Sequence, residues 1–106
     1  MTKHKLIEFG KKVLRDEGIE NVTIKVTEKD NFSYGGYYHK DTGIIEIRDE
    51  NISQALMLHE ITHTKYPNHC SKEFMQEYRR LCEKYKVEYG RDIHIELFNK
   101  WYGAIE

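Results

Sequence analysis

The chain has 106 residues, room for one compact domain with one modest hydrophobic core but not for a catalytic domain beside an accessory one. Its 17 basic and 18 acidic residues leave a formal net charge of −1, a balance that calls for neither nucleic acid nor another strongly charged partner. Met1 to Lys5 is polar and basic and no long apolar run follows, so neither a signal peptide nor a membrane span is expected, and the chain reads as soluble and cytoplasmic.

From Lys3 to Arg15 the apolar residues Leu6, Phe9, Val13 and Leu14 recur at helical spacing, with Thr2 as cap and Gly18 as stop. The run VTIKV at 22–26 alternates, as do Ile45 and Ile47 against Glu46 and Arg48, and YYHKDTGII places a glycine-containing turn between two β-prone runs. A strand followed by a hairpin is expected. Gly35 and Gly36 weaken the interior of the first hairpin strand, and glycine there marks a bulge or a close approach, so residues 34–39 are the candidate exposed edge. Tyr34, Tyr37 and Tyr38 read as hairpin packing, His4 and His39 as surface histidines.

At Asn51 the pattern changes. Asn51 with Gln54 three residues on reads as a capping box, and ISQALMLHEITH then carries apolar residues round most of its circumference, which predicts a buried helix over 52–65. After Pro67, Ser71 caps a further helix with an inward stripe of Phe74, Tyr78, Leu81 and Tyr85. Lys72, Glu73, Arg79, Arg80, Glu83 and Lys84 lie mostly outside it, and Gly90 is its expected end. Asp92 caps a last helix to Tyr102, bearing Leu97, Phe98 and Trp101. Cys70 and Cys82, if both lie near one helix, stand roughly 18 Å apart, beyond disulfide reach, which favours thiols in a reducing compartment.

Chemistry concentrates at residues 58–74, LHEITHTKYPNHCSKEF. Residues four apart share a helix face, so His59 and His63 can direct imidazole nitrogens at one point with Glu60 beside them. Zinc suits that set: three protein ligands leave a position for water, and a neighbouring carboxylate, Glu60, accepts its proton as general base. Shuffling a chain of this composition yields the His-Glu-x-x-His pattern by chance in roughly four of a hundred cases, so its placement matters more than its presence. Here it falls in the middle of an otherwise apolar helix, where a ligand role explains the polar side chains better than a pair of core histidines. The candidates for third ligand are His69, Glu73, Glu77, Cys70 and His94. His69 is favoured, because Pro67 ends the helix and Asn68 tolerates the left-handed conformation that reverses the chain.

The segment from His59 to Phe74 resembles the zincin motif of the minigluzincins, small metallopeptidases of similar length and element order, and is similar to the motif of SprT-like and WLM peptidases, in which a phenylalanine follows at the place of Phe74. The metzincins share the histidine spacing but need glycine where this chain has Tyr66. The resemblance implies an α+β minimal zincin, gluzincin-like domain spanning 1–106: N-terminal helix, small three-stranded sheet, active-site helix, following helix and C-terminal helix. It also implies peptide hydrolysis with Zn2+ held by His59, His63 and His69, histidine being the third ligand in minigluzincins, and a peptide substrate lying antiparallel to the edge strand. In minigluzincins a C-terminal segment blocks the cleft, as an extended tail or as a helix exchanged between two copies; here the helix of 91–106 either packs on its own core or docks in a partner's groove in a swapped homodimer, and where it enters the cleft it brings His94, Glu96 or Asp92 near the metal and gives a latent zymogen. Two other classes compete with this reading. One is a non-catalytic zinc-binding structural or regulatory module, against which Glu60 argues. The other is a DNA-associated role suggested by Lys3, Lys5, Lys11, Lys12 and Arg15, a stripe more often simply solvated.

Overall fold

In the computed structural model residues 2–27, 36–48, 53–68 and 71–88 are described. They form a small α+β fold of three helices and a three-stranded sheet, in the order α1 (Lys3–Asp16), β1 (Thr23–Thr27), β2 (Gly36–His39), β3 (Ile44–Arg48), α2 (Gln54–His63) and α3 (Lys72–Lys84). The expected helix over 92–102 lies outside the described residues, as do Asn51, Tyr34, Cys70, Gly90 and the candidate ligands His69 and His94. No helix among the described residues is long and apolar enough to cross a membrane.

Helix α1 forms as its periodicity predicts. The Thr2 hydroxyl accepts from the Lys5 amide, and Leu6, Gly10, Val13 and Leu14 turn inward. It ends in a Schellman turn: Gly18 takes φ 67°, its N–H reaches the Arg15 carbonyl, and the Ile19 N–H reaches Leu14. Ile19 then packs on the core, the apolar contact that usually accompanies this motif.

The sheet is mixed, in the order β1-β3-β2. β1 runs parallel to β3 with Ile24 opposite Ile45 and Val26 opposite Ile47; β2 is antiparallel to β3 with Tyr38 opposite Ile45. Ile24, Val26, Ile45 and Ile47 are buried on one face, toward the helices, while Thr23, Lys25 and Tyr37 stay exposed on the other. β2 is an edge strand, as expected for 34–39, and its hairpin closes where the His39 carbonyl accepts from Thr42 and Gly43.

Helix α2 touches α1, α3, β2 and β3, and Ala55 and Met57 through Thr62 are all buried. Its bounds differ from the expected 52–65. The cap is Ser53, whose hydroxyl accepts from the Leu56 amide, in place of Asn51. At the other end, bonds from Thr64 to Ile61 and from Lys65 to Thr62 tighten the chain into a turn after His63. Helix α3 is capped by Ser71 as predicted, but it stops at Lys84, ahead of Gly90. The reason is a second Schellman turn, with Lys86 at φ 57°, its N–H on Glu83 and the Val87 N–H on Cys82. The inward stripe is wider than Phe74, Tyr78, Leu81 and Tyr85, since Met75 and Cys82 are buried as well.

The ends of α1 and α3 are fastened together. Glu17, its side chain 6 % exposed, accepts from the Arg80 guanidinium, from Lys84 Nζ at 2.6 Å and from the Tyr85 hydroxyl at 3.0 Å. The Tyr85 ring meets Phe9 of α1 edge-to-face at 6.2 Å. Burial alone pushes the Glu17 carboxyl up, but the hydrogen bonds from Lys84, Arg80 and Tyr85 outweigh it and hold its pKa at about 2, down from 4.5. A carboxylate held low contributes stability that is fully present above its unfolded pKa and is lost as pH falls from 4.5 toward 2. With Arg80 and Lys84 partly solvated, that contribution is on the order of 1–2 kcal/mol. Glu17→Gln is therefore expected to lower the urea midpoint at pH 7 and to flatten the loss of stability between pH 5 and 2, as measured by denaturation at a series of pH values.

Candidate metal centre

His59 and His63 occupy successive turns of α2 and bring their rings together, centroids 4.9 Å apart. His59 is 5 % exposed, and its ring is enclosed by Phe74 at 5.0 Å and Tyr78 at 5.7 Å, both on α3. His63 is half-buried and leans on Phe74 at 4.7 Å. Phe74 and Tyr78 stand one helical turn apart on the face of α3 turned to α2, so one apolar stripe fixes both imidazoles.

The His63 Nδ1 lies 3.2 Å from the Tyr66 carbonyl. A carbonyl oxygen only accepts, so the bond requires Nδ1 to carry the proton, and neutral His63 then keeps its lone pair on Nε2. A backbone acceptor on one ring nitrogen leaves the other ready to bind a metal, and here it depends on the turn that closes α2 just after His63.

Glu60 is 4 % exposed and faces the sheet edge. A Cβ on Gly36, the first residue of β2, would stand 3.3 Å from Glu60 Oε2 and 3.4 Å from Leu56 Cδ1. The close approach of another backbone anticipated from this glycine is there in the Glu46 carbonyl of β3, 3.4 Å from the same point, and side chains of α2 join it, so the carboxylate of Glu60 lies against the start of the edge strand.

Two imidazoles sharing a helix face, one with its tautomer set by a backbone acceptor, form a donor pair suited to zinc. Among the described residues no three His, Cys, Asp or Glu side chains gather into a group able to hold a metal, so Glu73 and Glu77 do not complete the pair. Glu77 is engaged elsewhere: it takes Arg80 Nε at 2.6 Å and Nη2 at 3.0 Å, and Lys65 Nζ at 3.1 Å. The Arg80 bond, against a smaller effect of burial, keeps its carboxyl low, with Lys65 adding to the shift. Of the five candidates for third ligand, His69, Cys70 and His94 lie outside the described residues.

His39 lies away from this centre with Nε2 3.0 Å from Glu46 Oε1, and its ring meets Tyr37 at 4.9 Å. His4 is exposed beside Glu8, one turn along α1. Tyr38 packs against the core, and Tyr37, though exposed, meets the His39 ring on the same hairpin strand. The basic residues of α1 are all exposed. Sequence reading missed the link from Lys65 to Glu77 and the Tyr66 carbonyl. The charged pair leaves only a weak signal in two separate segments, and a backbone acceptor leaves none.

No protein-family model matches the chain, and no curated protein matches it.

The contact at Gly36 is testable. Gly36→Val adds methyl groups where Glu60 Oε2 and Leu56 already stand, and is expected to destabilise the fold by about 1–3 kcal/mol in urea unfolding. In a double-mutant cycle, Glu60→Ala should recover part of that loss.

Proposed function

We propose that this chain is a small zinc-dependent metallopeptidase of the zincin type, related to the minigluzincins, in which His59, His63 and His69 hold Zn2+ and Glu60 is the general base. The observation that carries the reading is the setting of Glu60. A buried carboxylate, next in sequence to one of two imidazoles that share a helix face, lies against the first residue of an edge strand, where an extended peptide would pair.

When bound, zinc supplies Lewis acidity, polarising the scissile carbonyl and acidifying water. The chain's own residues do the rest. His63 offers Nε2 because Tyr66 engages Nδ1, and His59 is held in orientation by Phe74 and Tyr78. β2 aligns an extended substrate through main-chain pairing, with the absent side chain of Gly36 leaving the Glu60 carboxylate next to the scissile bond. Glu60 takes the proton of the attacking water at a carboxylate oxygen and delivers it to the departing amine nitrogen. The reading includes a latent form in which residues 91–106 cover the cleft, from the same chain or an exchanged copy.

Glu60→Gln is expected to keep zinc while losing about 10²- to 10⁴-fold in cleavage of a quenched-fluorescence peptide library. His59→Ala and His69→Ala should lose the metal itself, measured as zinc per chain. Truncation after Gly90, which leaves the α3 terminus intact, should raise activity over the full chain. Stoichiometric zinc with no cleavage, in full-length and truncated protein alike, would instead support the non-catalytic zinc module.

A further inference from the structure

A chain of side chains runs from the far end of α1 to the candidate metal centre. Glu17, at the C-cap of α1, holds Arg80; Arg80 grips Glu77 through both Nε and Nη2; Glu77 receives Lys65 Nζ at 3.1 Å. Lys65 belongs to the turn that closes α2, and the next residue, Tyr66, gives its carbonyl to His63 Nδ1. The other described backbone bonds of this turn, from Thr64, Lys65 and Tyr66, run back to Ile61 and Thr62, so they fix it to its own helix. The Lys65–Glu77 pair ties it to α3.

We propose that Lys65 and Glu77, backed by Arg80 and Glu17, are positioning residues of this centre: they hold the 64–66 turn so that the Tyr66 carbonyl sets the tautomer and orientation of the His63 ring. The proposal rests on the metal-centre reading above and names residues that touch neither metal nor substrate. An isolated pair as exposed as Lys65 is worth little. Here the two carboxylates are largely covered, with Glu77 13 % and Glu17 6 % exposed, and Arg80 is shared between them. Three cations and two carboxylates on three segments restrain one another, so the entropy of ordering Lys65 is spent against a partner already fixed. The output is geometric. Displacing the Tyr66 carbonyl by a fraction of an ångström weakens its bond to Nδ1 and releases His63 toward the Nε2-protonated tautomer, which has no lone pair on that nitrogen to offer a metal.

The test uses full-length Lys65→Ala, Glu77→Gln and Lys65→Arg, with Glu83→Gln as a control for an exposed pair on the same helix. Zinc affinity is measured by chelator competition, the His63 tautomer by ring nitrogen chemical shifts of metal-free protein, and folding by urea denaturation. Lys65→Ala and Glu77→Gln should remain folded, weaken zinc by about ten-fold and shift His63 toward Nε2–H. Lys65→Arg should restore both, Glu83→Gln should change neither, and the double variant Lys65→Ala/Glu77→Gln should be no worse than the worse single change. Wild-type affinity and tautomer in folded Lys65→Ala and Glu77→Gln would overturn the proposal, as would an equal loss in Glu83→Gln. If the wild-type chain takes up no zinc, the metal-centre reading fails and the tautomer decides the brace alone: a shift in the two variants supports it, and an unchanged ratio overturns it.

Discussion

The fold is organised by the need to cover a helix on every side while three polar side chains sit in its middle. α2 is buried along most of its length: Leu58 and Ile61 are fully buried, and between them lie His59 and Glu60, with Thr62 following. Burying such groups is costly unless each has something to do. Thr62 resolves its own case locally, returning its hydroxyl to the Leu58 carbonyl at 2.7 Å. His63 likewise finds a local acceptor in the Tyr66 carbonyl, and the surrounding elements pack about His59 and Glu60. α3 lays Phe74 and Tyr78 on the rings, and the sheet presents to Glu60 the one residue without a side chain.

That arrangement requires α3 to be placed accurately, and its own helix propensity does not decide where it lies. Two Schellman turns set the ends of α1 and α3, and Ile19 and Val87 anchor them in the core. Glu17 and Tyr85 then fasten one helix to the other, by ion pairs and hydrogen bonds on one side and the Phe9 ring on the other. Stability and site geometry therefore share parts. Arg80, which serves the α1–α3 contact through Glu17, also serves the end of α2 through Glu77.

Much of this was legible in the chain itself. The first helix and the hairpin follow from periodicities of 3.6 and 2, because burial on one face is what those periodicities record. The two histidines at i and i+4 come together for the same reason. The edge expected at 34–39, of which 36–39 are described, rests on its glycines, and the burial of α2 on apolar residues round most of its circumference. Boundaries were less legible. Asn51–Gln54 looks like a cap, yet Ser53 serves, since a hydroxyl one turn before Leu56 meets its amide as well as any capping box. Lys86 ends α3 although no glycine stands there, because a left-handed residue other than glycine is stabilised here by two backbone bonds and the burial of Val87, and none of these shows in local sequence. The Glu17–Arg80 pair joins residues 63 positions apart, so no helical spacing announces it.

The proposed peptidase and a non-catalytic zinc module make different demands on these side chains. A purely structural centre needs rigid donors, and the aromatic enclosure of His59 together with the Tyr66 carbonyl at His63 would suffice for that. It has no need of a buried carboxylate set against the start of an edge strand, nor of a glycine that lets the strand settle there. Any larger side chain at position 36 would crowd Glu60 Oε2, the Glu46 carbonyl and Leu56, so the close packing of β2 on α2 depends on the glycine. Its presence keeps the start of β2 and the Glu60 carboxylate in contact, the arrangement on which the proposed alignment of a substrate along β2 depends.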